Sequence, residues 1–371
     1  MPEFADVLPD GLAHRRASGL NPGNRFEATR FHADGDALDD LAADRGGVAR
    51  PRRVPLTVLP DRTRRVINRV DPTSDVPFNF TLNPYRGCEH GCIYCYARPY
   101  HEYLGLSCGL DFETTIVAKH EAPRLLVEEL ADPRWRPEAI VMSAITDVYQ
   151  PIERELNLTR QCLEVLAAAR QPTSTMTKGA LVLRDLDLWA ELAKFDAGRV
   201  TVTIVTLDPK LAKSLEPRAA SPATRLRMIR ELTAAGVPVS VNVAPVIPGL
   251  TDTEVPAILQ AVAEAGATRV NWVMLRLPWQ LKALFLDWLD REVHPSRARR
   301  VESLLRQMHA GQLYKADRQR RRGRGPIADA VKATFDVFLK KHGLGTGSEP
   351  LSAAAFVRPT PPGGQMALFG G

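Results

Sequence analysis

The chain has 371 residues, of which 44% are hydrophobic and 25% are charged, and its formal net charge is +6. These proportions are average for folded proteins and exclude a mostly disordered or fibrous chain. No run of about 18 uncharged apolar residues could span a membrane, and residues 1–30 lack the apolar core of a signal peptide. We therefore expect a cytoplasmic protein with no membrane partner.

The amino-terminal part, residues 1–72, is rich in Arg, Asp, Gly and Pro and lacks a sustained hydrophobic period, which indicates an irregular extension. From residue 73 onward, short apolar or β-branched runs alternate with helical patterns. The predicted strands are residues 79–82, 140–144, 174–177, 200–207, 239–246 and 270–275. The predicted helices include residues 156–169, 186–193, 222–235 and 255–265.

This alternation predicts a parallel sheet, and strands that are apolar on both faces favour a barrel or an open α/β sheet over residues 73–278. In both architectures, ligands bind at the carboxyl ends of the strands. Residues 279–344 show helical patterns alone, which indicates a helical appendage. Residues 345–371 are rich in Gly, Pro, Ser and Ala and predict a flexible tail.

Three of the five cysteines lie within eight residues, directly after the first predicted barrel strand. Cys88, Cys92 and Cys95 form a C-x3-C-x2-C pattern, and five cysteines are too few for a disulfide scaffold in a chain of this size, so metal ligation explains them better than bridging. With Gly87 and Gly91 relieving backbone strain, three sulfurs of one loop can bind three corners of an iron–sulfur cubane. The fourth iron would then be open to a small molecule.

Zinc is the main alternative ligand for this loop, since thiolates suit both metals. A structural zinc site uses four protein ligands, usually as two separated pairs. The fourth ligand would have to be Cys108, His90 or His101. The role of Cys108 stays open, although a lone cysteine is most often a small buried hydrophobe.

The cysteine loop resembles the radical S-adenosylmethionine (SAM) superfamily, in which an aromatic residue, here Tyr94, precedes the last cysteine. The flanking segments, Asn-Pro-Tyr-Arg-Gly at 83–87 and Cys-Tyr-Ala-Arg-Pro at 95–99, are similar to the spore photoproduct lyase-like branch. The resemblance runs from about residue 66 to residue 344. It implies a partial (β/α)6 barrel with a [4Fe–4S] cluster, to which SAM binds through the open iron.

In that family an external electron donor supplies one electron, and SAM is cleaved to a 5′-deoxyadenosyl radical that abstracts hydrogen from a substrate. The resemblance implies that Tyr94 lies beside the adenine and that Thr146 and Lys178 contact the SAM carboxylate. Asn242 falls in a stretch similar to the adenine-contacting segment. The alternatives are a surface position for Lys178 and ordinary core around Asn242.

One position departs from the lyase pattern. Spore photoproduct lyases have a hydrogen-donating cysteine three residues before the aspartate that ends the second strand, and this chain has Ala144 there. The resemblance therefore supports the radical chemistry but not that particular repair reaction.

The positive charge is concentrated from Lys315 to Arg324, a segment with six basic residues and one acidic residue. Clustered arginines suit phosphate groups and predict contact with nucleic acid, with a solvated surface as the alternative. The last residues, from Gln365 to Phe369 (Gln-Met-Ala-Leu-Phe), resemble the pentapeptide that binds the bacterial sliding clamp. Both features are consistent with work on replicating or repaired DNA.

The leading interpretation is a lyase-like radical SAM enzyme that acts by hydrogen abstraction on nucleic acid, with a role in DNA repair. The first alternative is a non-catalytic nucleic-acid-binding protein stabilised by zinc or by an iron–sulfur cluster. The second alternative is an enzyme that acts on a small metabolite, with the basic segment merely solvated.

Overall fold

The computed structural model describes residues 16–26, 54–74, 76–317 and 320–360. The predicted clamp-binding residues from Gln365 to Phe369 lie outside these ranges. The strands are β1 (Thr57–Pro60), β2 (Ile67–Arg69), β3 (Phe80–Leu82), β4 (Tyr85–Arg86), β5 (Thr115–Ala118), β6 (Ile140–Met142), β7 (Thr173–Thr177), β8 (Gly198–Thr203), β9 (Val239–Val246) and β10 (Arg269–Met274).

The main sheet has seven strands in the order β10-β9-β8-β7-β6-β3-β2. Strands β3, β6, β7, β8, β9 and β10 are parallel, and they lie side by side in the order in which they occur in the chain. At the edge of this sheet, β2 pairs antiparallel with β3. All six predicted strands are confirmed, and their sequential parallel order is that of the predicted partial (β/α)6 barrel. A second, small sheet has the order β1-β5-β4.

Helices connect the parallel strands and continue after the last one. They are α1 (Asp111–Thr114), α2 (Ala122–Ala131), α3 (Glu153–Leu156), α4 (Leu158–Ala168), α5 (Leu186–Ala193), α6 (Pro209–Leu215), α7 (Pro222–Ala234), α8 (Val255–Glu264), α9 (Leu281–Glu292), α10 (Pro295–Met308) and α11 (Gly325–Lys341). Short 3-10 helices span Arg98–Leu104, Ala180–Asp185 and Asp252–Glu254.

Local chemistry sets the ends of the connecting helices. The side chains of Asp208 and Ser221 accept hydrogen bonds from backbone N–H groups in the first turns of α6 and α7, where no intrahelical partner exists. Gly236 and Gly266 follow α7 and α8 with φ of 78° and 101°, a left-handed conformation that glycine adopts without steric cost. The two glycines therefore end the helices where the sequence predicted.

Within the described ranges, every helix is too short or too polar to cross a lipid bilayer.

Two strands lie inside the segment that the sequence indicated to be irregular. β1 pairs with β5 in the small sheet, and β2 extends the main sheet. Residues 16–26 also pack onto the domain, with Ala17 and Leu20 buried. The Arg/Asp/Gly/Pro composition does not reveal these contacts because it carries no period that marks a buried face.

The described part of the predicted flexible tail, residues 345–360, runs across the amino-terminal side of the sheet. Gly345 pairs with Arg269 at the start of β10, and the Val357 N–H donates to the carbonyl of Ala169, which precedes β7. Arg358 donates to the carbonyl of Leu130 in the last turn of α2 at 3.0 Å and to that of Trp135, which follows this helix, at 3.2 Å. Backbone and guanidinium hydrogen bonds thus hold a segment whose composition indicates flexibility.

Helix α11, in the predicted helical appendage, packs against the edge of the main sheet. Its Phe335 is fully buried and stacks on Trp272 of β10, with ring centroids 4.6 Å apart and planes 6° from parallel. Such aromatic pairs bury large apolar areas and dominate the energetics of the interfaces they form. The last helix is therefore fixed against the edge strand of the sheet.

We predict that Phe335→Ala lowers the free energy of unfolding by about 3–5 kcal/mol, because it removes a buried aromatic ring and leaves a cavity. Val337→Ala is the matched control, since Val337 lies on the same helix but is 60% exposed, and it should change stability by less than about 0.5 kcal/mol. Urea denaturation measures both variants. Equal stabilities would show that α11 does not depend on this contact.

Candidate active site

A cavity of about 220 Å³ opens at the carboxyl ends of the parallel strands. Every site residue predicted from the sequence lines it: Cys88, Cys92, Tyr94, Cys95, Thr146, Lys178 and Asn242. These residues come from the cysteine loop, from the segments that follow β6 and β7, and from within β9. Parallel pairing explains their convergence, because it places the carboxyl ends of all these strands at one edge.

One side chain, that of Arg98, supports the cysteine loop through hydrogen bonds. Arg98 is fully buried, and its guanidinium donates to the carbonyls of Gly91 at 2.8 Å, Cys92 at 2.9 Å, Cys108 at 3.2 Å and Gly109 at 2.8 Å. These carbonyls belong to the loop itself and to the segment that follows it. Arginine suits this task because its planar fork presents five N–H donors in fixed directions.

The charge of Arg98 is balanced by Glu113 of α1, which it contacts at 2.5 Å and which is also fully buried. Burial alone would lower the pKa of Arg98, but the attraction of Glu113 raises it, so the guanidinium stays charged. Glu113 also approaches Gly91 so closely that a Cβ there would lie 2.6 Å from its carboxylate oxygen. Only glycine fits at position 91, which also has φ of 66°.

The three thiols have the chemistry that an iron–sulfur cluster requires. Cys88 and Cys92 are 6% exposed, and burial raises the pKa of both thiols, to about 12 for Cys92. Buried neutral thiols gain strongly from a metal, because metal ligation replaces the proton and removes the cost of an unpaired buried thiolate. The donor set therefore fits a cluster bound by Cys88, Cys92 and Cys95.

The structure places each candidate fourth ligand for zinc beside another protein group. The Sγ of Cys108 lies 3.4 Å from the side-chain oxygen of Gln280, and the ring of His101 packs edge-on against Phe112. The Nδ1 atom of His90 lies 3.1 Å from a carboxylate oxygen of Asp147. Three cysteines without a fourth partner suit a cluster with one open iron better than a closed tetrahedral zinc site.

Asp147 connects three of the segments that surround the cavity. Besides His90 of the cysteine loop, it accepts hydrogen bonds from the Thr177 hydroxyl at 2.8 Å and the Lys178 backbone N–H at 2.7 Å. Burial alone would raise the pKa of Asp147, but His90 and these donors lower it to about 2. A permanent carboxylate thus fixes the ends of β6 and β7 against the loop.

Thr146 and Asn242 line the cavity, but their polar atoms have protein partners. The Thr146 hydroxyl donates to the carbonyl of Gly87 at 2.6 Å, which ties the end of β6 to the cysteine loop. The Asn242 amide lies 3.1 Å from the sulfur of Met176. Their predicted contacts with SAM stay predictions.

Lys178 lies in a group of buried charges with two residues that the sequence did not single out, Glu216 and Arg225. Burial alone would lower the pKa of Lys178, but the negative charges of Glu216 and Asp147 raise it, so it remains an ammonium. Glu216 accepts hydrogen bonds from both the Tyr94 hydroxyl and Arg225. The carboxylate of Glu216 thus offsets part of the positive charge of Lys178 and Arg225. No hydrophobic period marks Glu216 or Arg225, so their burial could not be inferred from the sequence.

The backbone at the end of β6 is strained where it borders the cavity. Ser143 and Ala144 have φ of 127° and 106°, values that residues with a Cβ rarely adopt. Hydrogen bonds hold this conformation: the Ser143 hydroxyl donates to the carbonyl of Met176 at 3.1 Å, and the Tyr96 hydroxyl donates to that of Ala144 at 2.6 Å. The position at which this chain departs from the lyase pattern thus lies on the cavity wall.

The basic segment reaches the same cavity. The backbone N–H of Met274 in β10 donates to the carbonyl of Arg321 at 2.9 Å, and the guanidinium of Arg322 lies 3.7 Å from the ring centroid of Trp272. Arg321 therefore lines the cavity together with Arg276, whose guanidinium lies 5.0 Å from the ring of Tyr96. Sequence analysis found the charge of this segment but not its position, which depends on pairing with an edge strand.

We predict that Arg98→Met lowers the free energy of unfolding of the metal-free protein by about 3–5 kcal/mol, because it leaves Glu113 buried and unpaired. Iron retained after anaerobic reconstitution should fall as well, since the loop loses its support. Arg124→Met is the control, because Arg124 also pairs with glutamates but is half exposed and should change stability by less than about 1 kcal/mol. Equal effects in urea denaturation would contradict the role given to Arg98.

Comparison with known proteins agrees with this geometry. The family model of the Radical SAM superfamily matches residues 82–262. An uncharacterized protein of Mycobacterium tuberculosis strain H37Rv is 38% identical over 291 residues, which cover 76% of this chain and 85% of the relative. An uncharacterized protein of Methanocaldococcus jannaschii is 30% identical over 185 residues, covering 50% of this chain and 67% of that one.

Among solved structures, spore photoproduct lyase complexed with a dinucleoside spore photoproduct is similar in fold, with a TM-score of 0.57 and 15% identity. The similarity covers 84% of this chain and 93% of the lyase. A cysteine-to-serine mutant of the lyase gives a TM-score of 0.56 at 16% identity, with the same coverage. These structures share the fold, and the match to the family model shows that the chain belongs to the radical SAM superfamily and is a radical SAM enzyme that uses a [4Fe–4S] cluster and S-adenosylmethionine.

Proposed function

We propose that this enzyme abstracts a hydrogen atom from nucleic acid, with Cys88, Cys92 and Cys95 as the cluster ligands. The observation that carries the proposal is the pairing of Arg321 with β10, which brings the basic segment to the mouth of the cavity. A substrate with phosphate groups would meet Arg276 and Arg321 as its reacting part entered. Arginine recognises phosphate through its planar, bidentate fork.

When bound, the cluster and SAM together supply a 5′-deoxyadenosyl radical, and the chain's own residues supply position and charge. Lys178, held as an ammonium beside Cys92, is suited to the SAM carboxylate. Tyr94 and Asn242 are proposed to border the adenine, and Thr146 lines the same pocket. Because this chemistry uses one external electron, we also propose an electron-donor partner.

We propose that the clamp-like segment from Gln365 to Phe369 binds a sliding clamp and so brings the enzyme to DNA, which suits a role in DNA repair. A tether with short anchor residues is a common way to recruit an enzyme to such a partner.

We predict that the anaerobically reconstituted protein forms 5′-deoxyadenosine from SAM and reductant, and that Cys92→Ala reduces this product to background because the cluster loses a ligand. Cys162→Ala is the matched control, since Cys162 is buried in α4 away from the cavity, and it should retain the activity. Product quantified by chromatography decides the result. Formation by Cys92→Ala at the wild-type rate would exclude the proposed cluster site.

We further predict that Arg276→Ala and Arg321→Ala each weaken binding to DNA oligonucleotides and reduce the slope of log affinity against log salt by about 1, because each removes one phosphate contact. Fluorescence anisotropy at several salt concentrations measures this. Arg134→Ala, which removes an exposed arginine next to Asp132, should leave the slope unchanged. If the wild-type protein bound no nucleic acid, the small-metabolite interpretation would replace this one.

A further inference from the structure

The exposed aromatic side chains of the described residues gather on one part of the surface. They are Phe26, Tyr96, Tyr100, Tyr103 and Trp279. Rings of Phe26 and Tyr103 lie 5.0 Å apart, and those of Tyr100 and Tyr103 lie 6.2 Å apart. We call Phe26, Tyr100, Tyr103 and Trp279, together with Arg25, the aromatic patch.

Arg25 links the rings of the patch. Its guanidinium lies 4.2 Å from the ring centroid of Trp279 and 4.7 Å from that of Phe26. The buried carboxylate of Glu102 fixes it, with Oε2 3.0 Å from the Arg25 Nε and Oε1 accepting from the Arg25 backbone N–H at 3.1 Å. Arg25 thus joins Phe26 and Trp279 within the patch.

Two chain segments connect the aromatic patch to the cavity. One begins at Tyr96, which lines the cavity, and leads through the 3-10 helix Arg98–Leu104 to Tyr103. The other begins at Arg276, also a lining residue, and reaches Trp279 three residues later. Tyr96 and Arg276 are themselves in contact, ring to guanidinium, at 5.0 Å. The aromatic patch is thus continuous with the rim of the active site.

Two features of Trp279 are energetically unfavourable, and its packing does not explain them. Its φ of 49° is left-handed, which is unusual for a bulky residue, and its side chain is 58% exposed. Tyr103 is likewise 65% exposed. Strained residues with large exposed apolar surfaces cluster at binding sites, where a ligand covers them.

We propose that the aromatic patch is a stacking platform for unpaired bases of a single-stranded nucleic acid whose reacting nucleotide enters the cavity. This inference rests on the proposed function and narrows its substrate to unpaired nucleotides. Bases stack on aromatic rings and on arginine planes without regard to sequence, whereas paired bases in a duplex have their faces covered. The strand's phosphates would follow the adjacent arginines, Arg276 and Arg321.

The test uses the reconstituted holoenzyme and fluorescein-labelled oligothymidylate of about 12 nucleotides, a length within the usual site sizes of single-strand-binding proteins, with a duplex of equal length for comparison. Tyr103→Ala and Trp279→Ala should each weaken single-strand binding by about 5- to 150-fold, the effect of removing one stacking aromatic residue. The salt slope should stay unchanged, because no phosphate contact is lost. Tyr103→Phe and Trp279→Phe should retain most of the affinity, since a ring remains.

Val337→Ala, which shortens an exposed apolar side chain on α11 outside the patch, should bind like the wild type. Formation of 5′-deoxyadenosine without nucleic acid should be the same in all these variants, which shows that the active site is intact. Unchanged single-strand affinity in Tyr103→Ala and Trp279→Ala would overturn the platform. A second result would also overturn it. If the aromatic variants bound single strands normally but were reduced more slowly by a protein electron donor, the patch would be a docking site for that protein.

Failure of the platform and failure of the proposed function give different results. If the wild type binds oligonucleotides and Arg276→Ala weakens binding while the aromatic variants do not, only the platform is wrong. If the wild type binds no nucleic acid, both are wrong. Weaker single-strand binding in the aromatic variants together with normal 5′-deoxyadenosine formation supports both.

Discussion

The contact between Arg98 and the cysteine loop is the constraint on which the active site depends. A loop that offers three thiolates to one cluster cannot also pair its backbone in a sheet, so its carbonyls need another donor. The Arg98 guanidinium supplies that donor to two loop carbonyls and two beyond the loop, and Glu113 balances its charge. Hydrogen bonds from the protein itself thus support the backbone of the cysteine loop.

Buried charges recur around the cavity, and each is compensated within the protein. Asp147 is paired with His90 and with donors from the end of β7, and Glu216 accepts from Tyr94 and Arg225. Such pairs contribute little net stability, because desolvation offsets their attraction, but breaking one is costly. Their effect here is to hold loops from different strands in one arrangement and to leave Lys178 charged toward the cavity.

The open edge of the partial barrel determines what surrounds the mouth of the cavity. In the described part of the chain, no barrel strand pairs with the outer edge of β10, so its Met274 N–H is available to the carbonyl of Arg321. Trp272 of the same strand packs against Phe335 and Arg322. A closed barrel would cover this edge. Because the sheet is incomplete, the basic segment, which follows the barrel in the chain, can border the cavity.

The sequence alone determined the local features of this protein. The cysteine spacing pointed to the radical SAM superfamily, hydrophobic runs located the six parallel strands, and glycines such as Gly236 marked helix ends. Lys178 was predicted at the cavity because it follows β7, and parallel strands place their carboxyl ends together. Asn242 also lines the cavity, although it lies within β9 rather than after it. These inferences need only short-range patterns, which the sequence displays directly.

Only the tertiary structure decided which distant segments meet. The contact of Tyr94 with Glu216, the pairing of Arg321 with β10 and the grouping of Phe26 with Tyr103 join residues far apart in the chain. A buried charge or an exposed ring has no periodic pattern of its own, because its environment is made by other elements. The radical SAM chemistry could therefore be predicted from the sequence, whereas the set of residues that surrounds the cavity required the fold.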